Sequence, residues 1–285
     1  MSRPKQRKGG RVTPKKDGAA PRSSAGVPPP SVPYGTYNDA PLSDEWQEAS
    51  DDGELADGIQ GLIAAAGDAI ASGHPAELLV LTSSVVAAVG DGEIPGEDAS
   101  FTWASVVDEL SGSVRPETTA LLYALRPLAP EEYGWGITAE LARRSTPGLP
   151  AWISSIGEVE VTGVRLHPES TDETDVFVLT RWPTGQEMTF IVNVARRPEP
   201  VVQDAILAPA DVTALPVATE AQAPMELVEV DLADARAFLE AAAQRWESTT
   251  IDEETEDWPS TRPLLRWLLS TLPEGGEERW PGLQA

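Results

Sequence analysis

Val176-Phe-Val-Leu-Thr180, then Pro183-Thr-Gly185, then Met188-Thr-Phe-Ile-Val-Asn-Val194 is the stretch that decides the fold. In the first run Val176, Val178 and Thr180 alternate with their neighbours, the period-two signature of a strand with one buried face. The last run is dense in β-branched residues, which suit a pleated surface. The Pro-Thr-Gly segment between them is a turn signal, so the pair reads as a hairpin. Upstream, Val159, Val161 and Val164 give a preceding strand. Downstream, Val201 to Leu207 gives a fourth. Residues 149–212 therefore predict an antiparallel meander of four strands. Asp172, Glu173 and Asp175 are assigned to its first connecting loop.

Working outward, the periodicity changes to that of helices. Leu55, Ile59, Leu62, Ile63, Ala66 and Ile70 recur at helical spacing and stop at Gly73. Pro75 opens a second helix carrying Leu78, Leu79, Val85, Val86 and Val89, and the short Gly-His-Pro junction predicts antiparallel packing of the two. A third helix follows Ser100, with Trp103, Val107 and Leu110 on one side. A fourth runs from Pro116 to Arg126, and a fifth from near Pro130 to Arg143-Arg144, whose charges suit a helix C-terminus. A short helix from Ser43 through Trp46 precedes them all. Beyond the sheet, residues 213–224 read as a crossing segment and Met225–Val230 as a short strand. Asp231 then caps a helix bearing Phe238 and Trp246, and a last helix spans about Ser260 to Leu272 with Leu264, Leu265 and Leu268 in its stripe. Pro273-Glu-Gly-Gly ends it.

The expected fold class is α+β: an N-terminal helical part, a central four-stranded antiparallel meander sheet, and C-terminal helices packing on the sheet. The domain reading is a disordered basic and proline-rich tail (1–40), a helical region (41–148), a β-sheet region (149–212), and a linker with C-terminal helices (213–285). Residues 149–285 are expected to form one structural unit. The nine tryptophans are read as core and half-buried anchors.

Charge is segregated along the chain. All four lysines, Lys5, Lys8, Lys15 and Lys16, lie in the first sixteen residues, and Arg3, Arg7 and Arg11 raise that segment to seven positive charges without an acid. The remainder holds 46 acids against 14 arginines, a formal charge of about −32. Such a body repels duplex DNA within a Debye length of roughly 10 Å. The seven tail cations are the expected contacts to RNA or a ribosome, weak and salt-sensitive. Alternatively the tail folds back onto its own acidic body. Cysteine is absent, which excludes disulfides, thiolate metal sites and cysteine nucleophiles. The opening segment has no apolar run of the secretory kind, and the longest apolar stretch, Ala76 to Val89, is too short to span a bilayer. A cytoplasmic protein without membrane insertion is expected.

Motifs for chemistry are few. A phosphate-binding loop of the Walker type needs a lysine, and the body has none. The same absence removes Schiff-base chemistry. Gly90-Asp-Gly92-Glu-Ile-Pro-Gly96 has the wrong spacing and two acids for a dinucleotide fingerprint. His74 and His167, the only histidines, lack the paired spacing of a zinc site and read as solvated or capping residues. The acidic runs Asp44 to Asp57 and Asp252 to Asp257 lack EF-hand spacing. No cofactor and no metal are expected. His167 and Arg181 remain as candidates for a pocket in the sheet region, with nearby acids.

The block Pro150 to Leu207, with Arg181-Trp182-Pro183 followed by Gly185, resembles an uncharacterised family of proteins from GC-rich bacteria. So does the ending Trp258-Pro259, Arg262-Pro263-Leu264 and Leu272-Pro273-Glu274-Gly275-Gly276. The resemblance covers about the second half of the chain. It implies no activity and supports reading the sheet and final helix together.

The leading expectation is a non-catalytic cytoplasmic protein acting through protein–protein contacts, with an accessory cationic tail. The alternatives are a nucleic-acid- or ribosome-associated factor using that tail, and an uncharacterised hydrolase with its site in the sheet region. Replacing Lys5, Lys8, Lys15 and Lys16 together with alanine is expected to leave the melting temperature unchanged; calorimetry showing a large drop would mean that the tail is part of the folded core.

Overall fold

The computed structural model describes residues 52–90, 102–145, 147–167, 173–195, 199–214, 227–248 and 258–278. The tail cations, the Ser43–Trp46 helix, most of the Gly90–Gly96 loop, Asp172 and the Asp252–Asp257 run lie outside them. Eight helices and five strands are seen among these residues. They are α1 (Asp52–Ser72), α2 (Pro75–Gly90), α3 (Trp103–Gly112), α4 (Pro116–Leu125), α5 (Glu131–Arg143) and α6 (Ala151–Ser154), then β1 (Glu160–His167), β2 (Glu173–Arg181), β3 (Glu187–Ala195) and β4 (Val201–Ala208). After a 3-10 turn at Val212–Ala214 come β5 (Val228–Val230), α7 (Leu232–Ser248) and α8 (Trp258–Ser270).

The class is α+β. The meander β1 to β4 is present, and the short strand β5 joins it antiparallel to β1, giving the order β4-β3-β2-β1-β5. Sequential hairpins explain β1 to β4. The fifth strand therefore lies at the edge opposite β4. Glu173 and Asp175, assigned by sequence to a loop, pair with Ala195 and Asn193 inside β2. The helix α6 between α5 and β1 was not legible as a separate element, since four residues are too few for a periodicity.

Alternation builds the inner face of the sheet: Val176 and Val178 on β2, and Phe190, Val192 and Val194 on β3, are all buried. Two positions break the period of two. Val161 and Val164 are three residues apart yet both buried, because a bulge inserts one residue between Val161 and Gly163. On β4, Val202 and Ala205 are likewise three apart and both buried, across the irregularity opposite Asn193 and Val194.

Helices cover this face. α7 packs on β4 and β1, and α8 on β4. α2 is apolar nearly all round, from Leu78 and Leu79 to Val85 and Val89, so it must be enclosed. It meets α1 and α4 as well as α8, its most extensive partner. The Ser83 hydroxyl donates to the Ser260 carbonyl at 2.6 Å, fixing α2 to the start of α8. One apolar core therefore runs from Ile59 to Leu272 through helices and sheet alike.

Three polar devices fix the arrangement. The backbone N–H of Ala76 donates to Nδ1 of His74 at 3.1 Å, which leaves Nε2 carrying the proton and donating to the Glu187 carbonyl at 2.9 Å. His74 thus caps α2 and joins it to β3. Burial holds its pKa below the ordinary histidine value, against the opposing effects of the Glu187 carbonyl and the Glu77 charge. Second, Asp231 caps α7 by accepting from Ala233 N at 2.9 Å. Residues 275–277 close on the same turn: Gly275 takes φ 89°, and Glu277 N donates to Asp234 at 2.8 Å. A Cβ on Gly276 would lie 2.0 Å from the Ala233 carbonyl oxygen, so only glycine fits there.

The third device is Arg144, whose side chain is 1% exposed. Nε donates to Glu140 at 2.9 Å, Nη1 to the hydroxyls of Thr118 and Thr119 at 3.0 and 3.2 Å, and Nη2 to the carbonyls of Leu110 and Ser111 at 2.7 and 3.2 Å. All five N–H donors are used. The guanidinium sits on the C-terminal carbonyls of α3, where a cation is favoured, and ties α3 and α4 to the end of α5. Arg144, then Arg143, hold the Glu140 carboxyl below its ordinary pKa. Arg144→Ala is expected to cost about 3–5 kcal/mol in denaturant unfolding. Arg144→Lys should recover little of it, because an ammonium has no planar fork; full recovery by lysine would show that only the charge matters.

Candidate functional site

The outer face of the sheet carries the residues singled out for chemistry. Its middle is closed: Phe177, Leu179 and Ile191 form a small buried cluster with Ile206, Val212 and Leu227 against it. The chain after β4 lies over it. The Thr189 hydroxyl donates to the Ala210 carbonyl at 2.7 Å and accepts from Val212 N at 3.2 Å. The Arg165 guanidinium donates to the Thr213 hydroxyl, which donates in turn to Asp211 at 2.6 Å.

Beyond this cover a polar row crosses four strands. His167, Asp175, Asn193 and Asp204 are successive register partners on β1, β2, β3 and β4, which places neighbouring Cβ atoms about 5 Å apart. Asn193 Nδ2 donates to Asp175 Oδ1 at 3.0 Å, and Asp204 Oδ1 accepts from Ala205 N at 2.7 Å. Burial raises the Asp175 carboxyl above the ordinary value, the Asn193 bond and the His167 charge oppose it, and Glu173 adds to it. Burial thus favours the protonated form of the Asp175 carboxyl, beside its register partner His167.

Arg181 is not part of this row. It lies at the opposite end of β2, six residues and about 20 Å from Asp175. It pairs there with its register partner Glu187, Nε to Oε1 at 3.0 Å, with a side chain 57% exposed. The structure thus places His167 and Arg181 at opposite ends of the β1–β2 ladder. Among the described residues no group of three His, Asp or Glu side chains is disposed to hold a metal ion. Nor is any helix long and apolar enough to cross a membrane.

The second surface was missed by the sequence reading. Trp135, taken with the other indoles as an anchor, is 72% exposed. Of the other described tryptophans, Trp152, Trp182, Trp258 and Trp267 are buried, and Trp103 and Trp246 pack against the core. The cause lies in the register of α5. Ile137 and Leu141 face inward and Tyr133 stacks on Trp103 at 5.8 Å and 22°. Positions 133, 137 and 141 define the inner stripe, and a residue two places from 133 and from 137 points away from it. That spacing was readable before any coordinates.

The Asp175 carboxyl has a testable sign. A folded-state pKa above the unfolded value contributes stability that is complete below about pH 3.8 and is lost as pH rises through the folded value. Asp175→Asn is therefore expected to raise the melting temperature at pH 7 and to change it little at pH 3. Equal effects at both pH values would mean that the ionised carboxylate is not the destabilising form.

No family model, curated protein or solved structure matches this chain, so residue roles come from its own geometry.

Proposed function

We propose that this protein acts by contact with another protein, through the outer face of α5 centred on Trp135. The observation supporting this is the 72% exposure of a tryptophan on a helix that is otherwise firmly seated. Tryptophan is the side chain most enriched among residues whose truncation costs an interface about 2 kcal/mol or more. Trp135 stands on a rigid support, since Ile137 and Leu141 bury the opposite side of α5 and Arg144 clasps its end. A presented indole of this kind needs no rearrangement before docking. The proposed setting is the cytoplasm.

The N-terminal cations support a second, accessory reading. Seven positive charges without an acid in sixteen residues suit weak contact with RNA or a ribosome. A salt titration of RNA binding by the full chain and by a chain beginning at Pro41 separates this from the α5 contact.

Affinity capture from the native cells, with wild-type and Trp135→Ala proteins side by side, tests the main reading. The expected result is loss of a specific partner by the variant, with a melting temperature within about 2 °C of wild type. An identical set of captured proteins, or a large drop in melting temperature, would contradict it.

A further inference from the structure

Gly134 and Gly136 flank Trp135, and nothing among the described residues accounts for either. Neither is among the glycines with positive φ, and a Cβ at either position would meet no atom within 4 Å. Each lies inside α5, where glycine is less favourable than alanine because it loses more backbone freedom on folding. A packing reason and a conformational reason are both missing. What the two glycines do supply is bare helix backbone on either side of an exposed indole, exposed at Gly136 and half-buried at Gly134.

The charge around the indole defines what approaches. Glu131 and Glu132 are exposed and stand four and three residues before Trp135, on the same side of the helix. Helical side chains lean towards the N-terminus, so the ring covers the turn that carries both carboxylates. At the other end of this face Arg143 is already paired with Glu140. The face is anionic beside the ring and bare along it. A guanidinium or ammonium seated on the indole satisfies the ring quadrupole and the carboxylates together. A phosphate or acidic chain meets two like charges there.

We infer that the α5 face is a receptor for an arginine- or lysine-bearing segment of another protein, with a cation on Trp135 and the partner's backbone lying against Gly134 and Gly136. This rests on the reading of Trp135 as the docking anchor and adds the chemistry of the partner. Its distinctive consequence is that changes which strengthen the free protein weaken the complex.

The test is fluorescence anisotropy of a labelled octa-arginine peptide on the full-length protein, with octa-glutamate as control and melting temperatures of every variant. Trp135→Ala, and Glu131→Gln with Glu132→Gln, are each expected to weaken octa-arginine binding about fivefold or more. Gly134→Ala and Gly136→Ala should each raise the melting temperature by about 2–4 °C and weaken binding by a similar factor. Gly61→Ala, at an equally open helical glycine on α1, should raise the melting temperature and leave affinity unchanged. Octa-arginine binding that is equal on wild type and Trp135→Ala would overturn the inference, as general attraction to an acidic body. Glycine variants that gain stability and keep affinity would overturn it too, as would Trp135-dependent binding of poly(U) in place of the peptide. If Trp135→Ala loses its cellular partner while octa-arginine ignores the variants, the docking reading stands and the cationic partner falls.

Discussion

A guanidinium sealed from water is tolerated only when each of its N–H groups has an acceptor and its charge has a counterpart. Arg144 meets both conditions through three helices at once: carbonyls from the end of α3, hydroxyls from the start of α4, and a carboxylate from α5. Because the acceptors are fixed in direction, the three helices have one relative arrangement that satisfies the fork. The inner stripe of α5 then packs Ile137 and Leu141, and the opposite side, with Trp135, is held towards solvent. The feature on which the functional reading rests is thus set by a buried polar clasp some nine residues further along the chain.

The same logic, a polar contact fixing the packing of apolar elements, recurs at the junction of helices and sheet. His74 links the α1–α2 turn to the β3 backbone, and Ser83 links α2 to α8. Between these fastenings α2 is enclosed by α1, α4 and α8. Among the described elements α8 thus packs against α2, and the sheet is covered by elements distant in sequence. The outer face of the sheet is closed differently, by the short chain segment after β4, which leaves the His167–Asp204 row at one end and the Arg181–Glu187 pair at the other.

Much of this architecture was legible before the coordinates. Helical spacing located α1 to α5, and alternation with the Pro183–Gly185 turn located the meander, because burial on one face imposes a period that one sequence displays. Bulges hid part of it. Val161 and Val164 contradict a strict period of two until one residue is looped out. Arg143 and Arg144 look equivalent in sequence, yet one is exposed and paired with Glu140 while the other is buried among five acceptors; only long-range geometry distinguishes them. The polar row on the outer face was half seen. His167 was singled out, but Asp175 was assigned to a loop, and its partnership with Asn193 depends on strand register. Trp135 was hidden by treating nine indoles as a class, although the 133, 137, 141 stripe excluded it from the core.

Hydrogen exchange of the full-length protein with and without its captured partner tests the proposed docking role of α5 most directly. The expected result is slow exchange at the clasped end of α5 in the free protein, and new protection concentrated in residues 133–139 when the partner is added. Protection appearing elsewhere, with α5 unchanged, would contradict it.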